Sequence, residues 1–218
     1  MQAEYTTWSL LAPLLWGAVT TIQVTAGALV VAVALGLLTA SIVYFFPYRP
    51  VKAIVGVYVE FFRNIPTITH LFIIYFGLAY VGIRLGSLVS AILGLGLIGG
   101  AALTDVFRAG FNAVQIGHRE AALAAGLSPS QVYCHVLLPQ TWRVTLPPLG
   151  NYTVGLVKDT SLVAAIAAPE IMFNARELVT TTFQTTFIYS AAALIYLAIC
   201  LSLGRVQRAL ERKAAVAA

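Results

Sequence analysis

Charged residues are scarce in this chain. Lysine, arginine, aspartate and glutamate make up 10% of its 218 residues, against roughly a quarter in an ordinary soluble domain. Hydrophobic residues make up 60%, and the mean hydropathy is +0.88. No charge occurs between Glu4 and Arg49, and further uncharged runs cover 64–83, 85–104 and 178–204. Each run reaches the ~20 residues that a membrane-spanning helix needs, so the sequence predicts an integral membrane protein.

The residue types that build metal and catalytic sites are also few. Neither the spacing nor the setting of the two cysteines and three histidines suggests a disulfide or a metal site. No nucleophile, base and orienting group form a recognisable pattern, and no loop is suited to binding a nucleotide. We therefore expect neither a catalytic residue nor a cofactor on this chain. In so apolar a chain the net charge of +5 does not indicate nucleic-acid binding.

The apolar runs predict an all-α membrane protein with a single transmembrane domain over residues 1–218. Its five helices are expected near 14–44, 53–80, 86–110, 143–168 and 185–206, with a segment at 111–142 outside the membrane. Basic residues concentrate after the first helix, between the third and fourth, and after the fifth. By the positive-inside rule, the N-terminus is then outside, whereas the C-terminus and the 111–142 segment are cytoplasmic. Residues 168–186 become an external loop.

Local signals in the cytoplasmic segment predict two short helices. Residues 118–125 are good helix formers, and Gly126 can end that helix in a left-handed conformation. Ser128 is placed to cap a second helix, with Gln131 completing a capping box, and Pro139 is expected to end it. Composition alone leaves two interpretations open: a well-capped connector between two spans, or a surface on which a partner protein docks.

A longer pattern in this segment consists of E-A-A, three residues, G, nine residues, an aliphatic residue, one residue, and L-P. It is carried by Glu120, Ala121, Ala122, Gly126, Val136, Leu138 and Pro139. The pattern resembles the signature loop of the membrane subunits of bacterial ABC importers, with valine at position 136 where isoleucine is more usual. The resemblance implies that residues around 118–127, including Arg119, form a coupling helix that sits in a cleft of an ATPase subunit.

The resemblance extends over nearly the whole chain. The stretches "EFFRNIPTITHLFIIYFGL" and "LPPLGNYTVGLVKDTSL" are similar to the polar amino acid permease branch, the histidine, arginine and glutamine type of importer. It implies a bacterial inner-membrane protein with a second permease subunit, identical or homologous, and two ATP-binding subunits that carry ATP and magnesium. An external solute-binding protein and a polar amino acid substrate complete the implied system. Departures from the branch pattern occur at Asn64, Ile65, Thr104 and Asp105.

Two pairs of charged residues within the predicted spans are functional candidates, because ionisable groups are costly in the membrane. Glu60 and Arg63 share a helix face and can pair or bracket a ligand, and Arg63 suits a carboxylate because its guanidinium forms two parallel bonds. Lys158 and Asp159 are adjacent and point about 100° apart. Glu60 or Asp159 can take an ammonium group, with hydroxyls beside them at positions 160 and 161. The full set of substrate-path candidates is Glu60, Arg63, Lys158, Asp159, Thr160 and Ser161. The alternative is that these charges form structural ion pairs.

The leading hypothesis is the membrane permease of an ATP-driven importer for polar amino acids, and not an enzyme itself. A proton-coupled secondary amino acid transporter, which uses the buried charges and needs no ATPase, is the alternative. A non-transporting assembly or sensor protein is a third class, but it leaves the charges within the membrane without a role.

Overall fold

The structure is a computed structural model that describes residues 7–216, with side chains described through Lys213, and all regular structure in this part of the chain is helical. Glu4, which precedes the first predicted span, lies outside the described residues. The helices are α1 (Thr7–Phe45), α2 (Arg49–Asn64), α3 (Thr67–Tyr80), α4 (Ser87–Ala113), α5 (Ile116–Ala124), α6 (Pro129–Val132), α7 (Leu138–Asp159), α8 (Ile171–Thr182) and α9 (Thr185–Val216). Within the described part, α1, α4 and α9 are long and apolar enough to cross a membrane by length and composition.

The packing of α1 against α4 forms the centre of the bundle. The two helices run in the same direction, because Gly27 lies against Ile92 and Gly36 lies against Leu103 further along both helices. A Cβ atom on Gly36 would come within 2.7 Å of the Leu103 Cβ. Glycine at such contacts lets the helix backbones approach closely, which is the usual role of small residues in membrane helix pairs.

The single helix predicted at 53–80 is wrong, because the chain breaks between α2 and α3. Pro66 lacks an N–H group and disfavours helical geometry in the preceding residue, and Ile65 is extended, with φ −103° and ψ 137°. α2 packs against α4, where the Tyr58 hydroxyl donates to the Leu97 carbonyl. After the break, Leu71 of α3 packs on Gly94 of α4. α3 contains a π-helical turn at Ile73–Gly77.

The prediction that Pro139 ends a helix is also wrong, because the chain stays helical from α6 into α7. A π-helical turn, Tyr133–Leu137, joins the two, and the Leu138 N–H bonds to the Tyr133 carbonyl five residues back. Pro139 therefore lies within a continuous helix, directly after this turn, where the hydrogen-bond pattern is already shifted from that of an α-helix. At the other end, the predicted 143–168 helix changes at Asp159 into a 3₁₀ helix, Thr160–Ile166.

The stretch predicted as an external loop contains a helix. α8 covers most of residues 168–186 and packs against the start of α1, where the Asn174 amide donates to the Pro13 carbonyl over 3.0 Å. α1 also begins earlier than the predicted residue 14, and α9 extends ten residues beyond the predicted 206. α8 and the first residues of α1 lie at one end of the bundle. The segment from α5 to α6 lies at the other end, beside the last turns of α1 and α4.

Candidate functional site

Residues 111–142 are called the coupling segment below. Its first helix, α5, ends as the sequence predicts. Gly126 has φ +87°, in the left-handed region that favours glycine. Its N–H bonds to the Leu123 carbonyl, and the Leu127 N–H bonds to the Ala122 carbonyl. These two bonds form a Schellman motif, which satisfies the last carbonyl groups of a helix. The turn fixes the direction in which the chain leaves α5.

The second helix begins with the predicted capping box. The Ser128 N–H donates to the Gln131 side chain over 2.8 Å, and the Gln131 N–H donates to the Ser128 hydroxyl over 3.4 Å. These reciprocal bonds satisfy donors that a helix start otherwise leaves free. Both predictions rest on signals within four neighbouring residues, and both are confirmed.

α5 projects from the bundle with no buried residue. Arg119, Glu120 and Ala121 are exposed, as is the Gly126 turn, and Ala122 is half-buried. Apolar Ile116 and Leu123 are exposed on the same short helix. Leu138 and Pro139 lie further on, at the start of α7, where the chain re-enters the bundle. The arrangement presents a short helix with small side chains to the surroundings, which is a geometry suited to close docking of another protein.

The charges on α2 are partnered differently from the sequence prediction. Arg63 does not pair with Glu60; its guanidinium donates to Asp105 on α4 over 2.8 Å. Glu60 instead accepts from the Asn64 amide over 2.6 Å. Asp105 also contacts Arg108 at 3.5 Å, so one carboxylate lies between two guanidinium groups. The family resemblance identified Asp105 only as a departure from the branch pattern, although its i,i+3 relation to Arg108 was a usable signal.

Lys158 and Asp159 lie at the end of α7 and point to different sides of it. Lys158 lines a cleft between α7 and α9 together with Gln207 and Glu211. Asp159 is seven residues after Tyr152 and therefore shares its helix face; the Tyr152 ring packs over Gly99 of α4. No ion pair or hydrogen bond within the described residues joins either charge to Arg63.

The two hydroxyl candidates are bonded within their own helical turn. The buried Thr160 hydroxyl donates to the Val157 carbonyl over 2.6 Å, and the Ser161 hydroxyl donates to the Lys158 carbonyl over 2.7 Å. Each hydroxyl can still accept a hydrogen bond. No group of three or more His, Cys, Asp and Glu residues between positions 7 and 216 could hold a metal ion.

Sequence reasoning missed a buried carboxylate at the opposite end of the bundle. Glu170 has no exposed surface. One of its carboxylate oxygens accepts the Phe173 N–H over 2.7 Å and so caps α8, and the other accepts the hydroxyl proton of Tyr196 on α9. Gly17 of α1 lies directly against this corner, because a Cβ there would meet the Glu170 backbone at 2.8 Å. The Glu170 side chain thereby joins α8 to α9, and its backbone packs against α1.

These features are those of a known class of membrane protein. Residues 32–216 match the family described as the inner membrane component of binding-protein-dependent transport systems, and the chain belongs to that family. It is therefore a multi-pass inner-membrane protein and a permease subunit of an ABC importer, and it is not itself the ATPase. Its relatives are amino acid permeases, which confirms the branch that the sequence motifs indicated.

Two curated relatives and one solved structure define this similarity. The chain is 35% identical over 159 residues to the glutamine transport system permease protein GlnP of Escherichia coli (strain K12), covering 72% of this chain and 73% of GlnP. It is 35% identical over 166 residues to the L-cystine transport system permease protein TcyB of Bacillus subtilis (strain 168), covering 76% and 71%. A crystal structure of an amino acid ABC transporter with histidines superposes with a TM-score of 0.85 at 26% identity, covering 98% of this chain and 100% of that one.

Proposed function

We propose that this permease imports a polar amino acid as one of a pair of permease subunits, identical or homologous. In this assembly two ATP-binding subunits hold ATP and magnesium on the cytoplasmic side, and an external solute-binding protein delivers the substrate. The observation that supports this proposal most directly is the E-A-A pattern on α5, followed by Gly126. α5 is an exposed, well-capped helix with small side chains. The relatives that transport glutamine and cystine support a polar amino acid as the substrate class.

The proposed cycle begins with ATP binding in the partner subunits. Closure of the ATPase pair displaces α5, and the displacement tilts the transmembrane helices from an inward-facing to an outward-facing arrangement. A rigid-body change of this kind needs a rigid element at the point where the force enters. The Schellman motif at Gly126 and the capping box at Ser128 supply that rigidity, because they fix both sides of the turn between α5 and α6.

Five membrane crossings follow from this proposal, with the N-terminus outside and the C-terminus in the cytoplasm. α1, α4 and α9 provide three crossings, the bent α2 and α3 pair provides one, and α7 with its 3₁₀ extension provides the other. Cys134 is exposed and lies within the coupling segment, so its labelling reports on which side of the membrane this segment lies. In a Cys200→Ser variant, an impermeant thiol reagent should label Cys134 in inside-out vesicles and not in right-side-out vesicles. The reverse pattern would contradict the orientation.

The substrate path is proposed to pass the charged residues of α2, α4 and α7. The Arg63–Asp105 pair is not enclosed within this chain, with side-chain exposures of 54% and 42%, so a substrate can approach it. A substrate carboxylate can then replace Asp105 on the Arg63 guanidinium, which binds carboxylates through two parallel hydrogen bonds. Glu60 and Asp159 are the available acceptors for the ammonium group, and the hydroxyls of Thr160 and Ser161 can accept a further donor.

A reconstituted complex of the permease, its ATPase and its binding protein tests both proposals. Transport of the bound amino acid should require ATP, and ligand-loaded binding protein should stimulate ATP hydrolysis. Arg63→Ala should abolish uptake while the subunits still co-purify, whereas Arg63→Lys should retain part of it because the charge is kept. Normal uptake by Arg63→Ala would remove Arg63 from the path. Uptake that follows a proton gradient without ATP would instead identify a secondary transporter.

A further inference from the structure

Four aromatic rings meet where the coupling segment joins the bundle. They belong to Tyr44 and Phe45 at the end of α1, Phe111 near the end of α4, and Tyr133 in the π-helical turn before α7, and are called the aromatic cluster below. Tyr133 lies 4.9 Å from Phe45 and 5.8 Å from Phe111, and Tyr44 lies 5.6 Å from Phe111, measured between ring centroids. These separations fall in the range at which aromatic pairs attract one another. Three distant parts of the chain are thereby held together at one point.

A directed hydrogen bond fixes the orientation of the Tyr133 ring. The Ser41 hydroxyl has a single proton, which it donates to the Leu37 carbonyl over 2.6 Å. The bond between Ser41 and Tyr133 must therefore be donated by the tyrosine hydroxyl. The bond connects the start of the π-helical turn to α1, one turn before the Tyr44 and Phe45 rings.

Arg119 connects the coupling helix to the same cluster. Its guanidinium carbon lies 5.7 Å from the centroid of the Tyr44 ring, which is within the range of a cation–π contact. No salt bridge within the described residues involves Arg119. α5 has no buried residue, so this contact is a side-chain link between an otherwise exposed helix and α1. A cleft beside the link is lined by residues of α1, α5 and α6, including Phe45, Leu123 and Val132.

We propose that Arg119 and the aromatic cluster are positioning residues that transmit the displacement of α5 to α1 and α4. The inference rests on the proposed function, because it requires a partner ATPase to move α5. The link before α5, residues 114–115, is short and non-helical and can bend, whereas the contact from Arg119 to Tyr44 acts directly on α1. Since α1 and α4 pack closely through glycines, a movement of Tyr44 is shared by both helices. Tyr133 passes the same movement to α7.

The test compares Tyr44→Leu with Tyr44→Phe in the complete transporter, reconstituted with its ATPase and loaded binding protein. The measured quantity is the ratio of stimulated to unstimulated ATP hydrolysis, together with amino acid transported per ATP. Tyr44→Leu removes the π face and should lower both ratios by about twofold to fivefold, the range expected for loss of an exposed cation–π contact. Tyr44→Phe keeps the ring and should retain the unmodified ratios. Combining Tyr44→Leu with Arg119→Gln should add little to either single effect.

A purely structural cluster gives a different result. Tyr44→Leu would then lower the thermal stability of the complex but leave its ratios equal to those of Tyr44→Phe, and this outcome overturns the proposal. If the Tyr44→Leu complex does not assemble, Tyr133→Phe is the second test, because it removes only the hydrogen bond to Ser41. Ratios equal to those of the unmodified complex in that variant also overturn the proposal. Failure of the proposed function itself is distinguishable, because the unmodified complex would show no stimulation by loaded binding protein.

Discussion

Replacement of Glu170 by alanine should destabilise the permease measurably. The variant loses the cap on the first turn of α8, which contributes about 1 kcal/mol in comparable helices. It also leaves the Tyr196 hydroxyl without its acceptor, which costs about 1–3 kcal/mol for a buried group. Part of this loss is offset, because the variant no longer has the free-energy cost of burying a carboxylate. We expect the free energy of unfolding to fall by about 2–4 kcal/mol before that offset.

Reversible unfolding of the purified permease in mixed detergent micelles measures this change. Glu177→Ala is the matched control, because Glu177 lies on the same helix and is exposed; its effect should stay within about 0.5 kcal/mol. Adding Tyr196→Phe to Glu170→Ala should recover most of the hydroxyl contribution, because the unpaired group is then absent. A Glu170→Ala variant as stable as the Glu177→Ala control would refute the assignment of the Glu170 side chain as the group that joins α8 to α9.

Two glycines yield further predictions, each with a glycine control that has open space around its Cβ position. Gly126→Ala should lower the stimulation of ATP hydrolysis, because an alanine at this φ of +87° costs about 1–2 kcal/mol. The control, Gly117→Ala in α5, should leave the stimulation unchanged. Equal stimulation in both variants would contradict the role of the Gly126 turn. Gly99→Ala should cost about 1–3 kcal/mol of unfolding free energy, because the added Cβ overlaps the Tyr152 hydroxyl. Gly155→Ala serves as its control in the same unfolding measurement, where equal stability would argue against close packing at Gly99.

Features that depend on neighbouring residues could be predicted from the sequence. The Gly126 turn and the Ser128 capping box each need only a few consecutive residues, and their geometry follows from backbone sterics and side-chain reach. The length of the apolar runs similarly indicated α1, α4 and α9. The extent of α7 was harder, since Pro139 is a helix breaker in isolation. The preceding π-helical turn changes which N–H groups need a partner.

Features that depend on distant contacts could not be predicted in this way. Arg63 bonds to Asp105, forty-two positions away, and spacing along one helix suggested only the nearer Glu60. The outcome at Pro66 likewise depends on packing, because a proline can kink a helix or end it, and the contact of Leu71 with Gly94 determines where α3 lies. Glu170 resembled an ordinary loop residue in the sequence, since burial is a property of the assembled helices.

The parallel packing of α1 and α4 constrains how the protein is made. α1 leaves the ribosome before α4, its main partner, and all of α2 and α3 lies between them. Until α4 has been synthesised, the small-residue positions Gly27 and Gly36 face lipid or the insertion machinery instead of another helix. Helices inserted in the bilayer can associate later, as a second stage. The membrane therefore holds α1 without its main partner until α4 has been inserted, and a truncation before Ser87 would leave a fragment without its central contact.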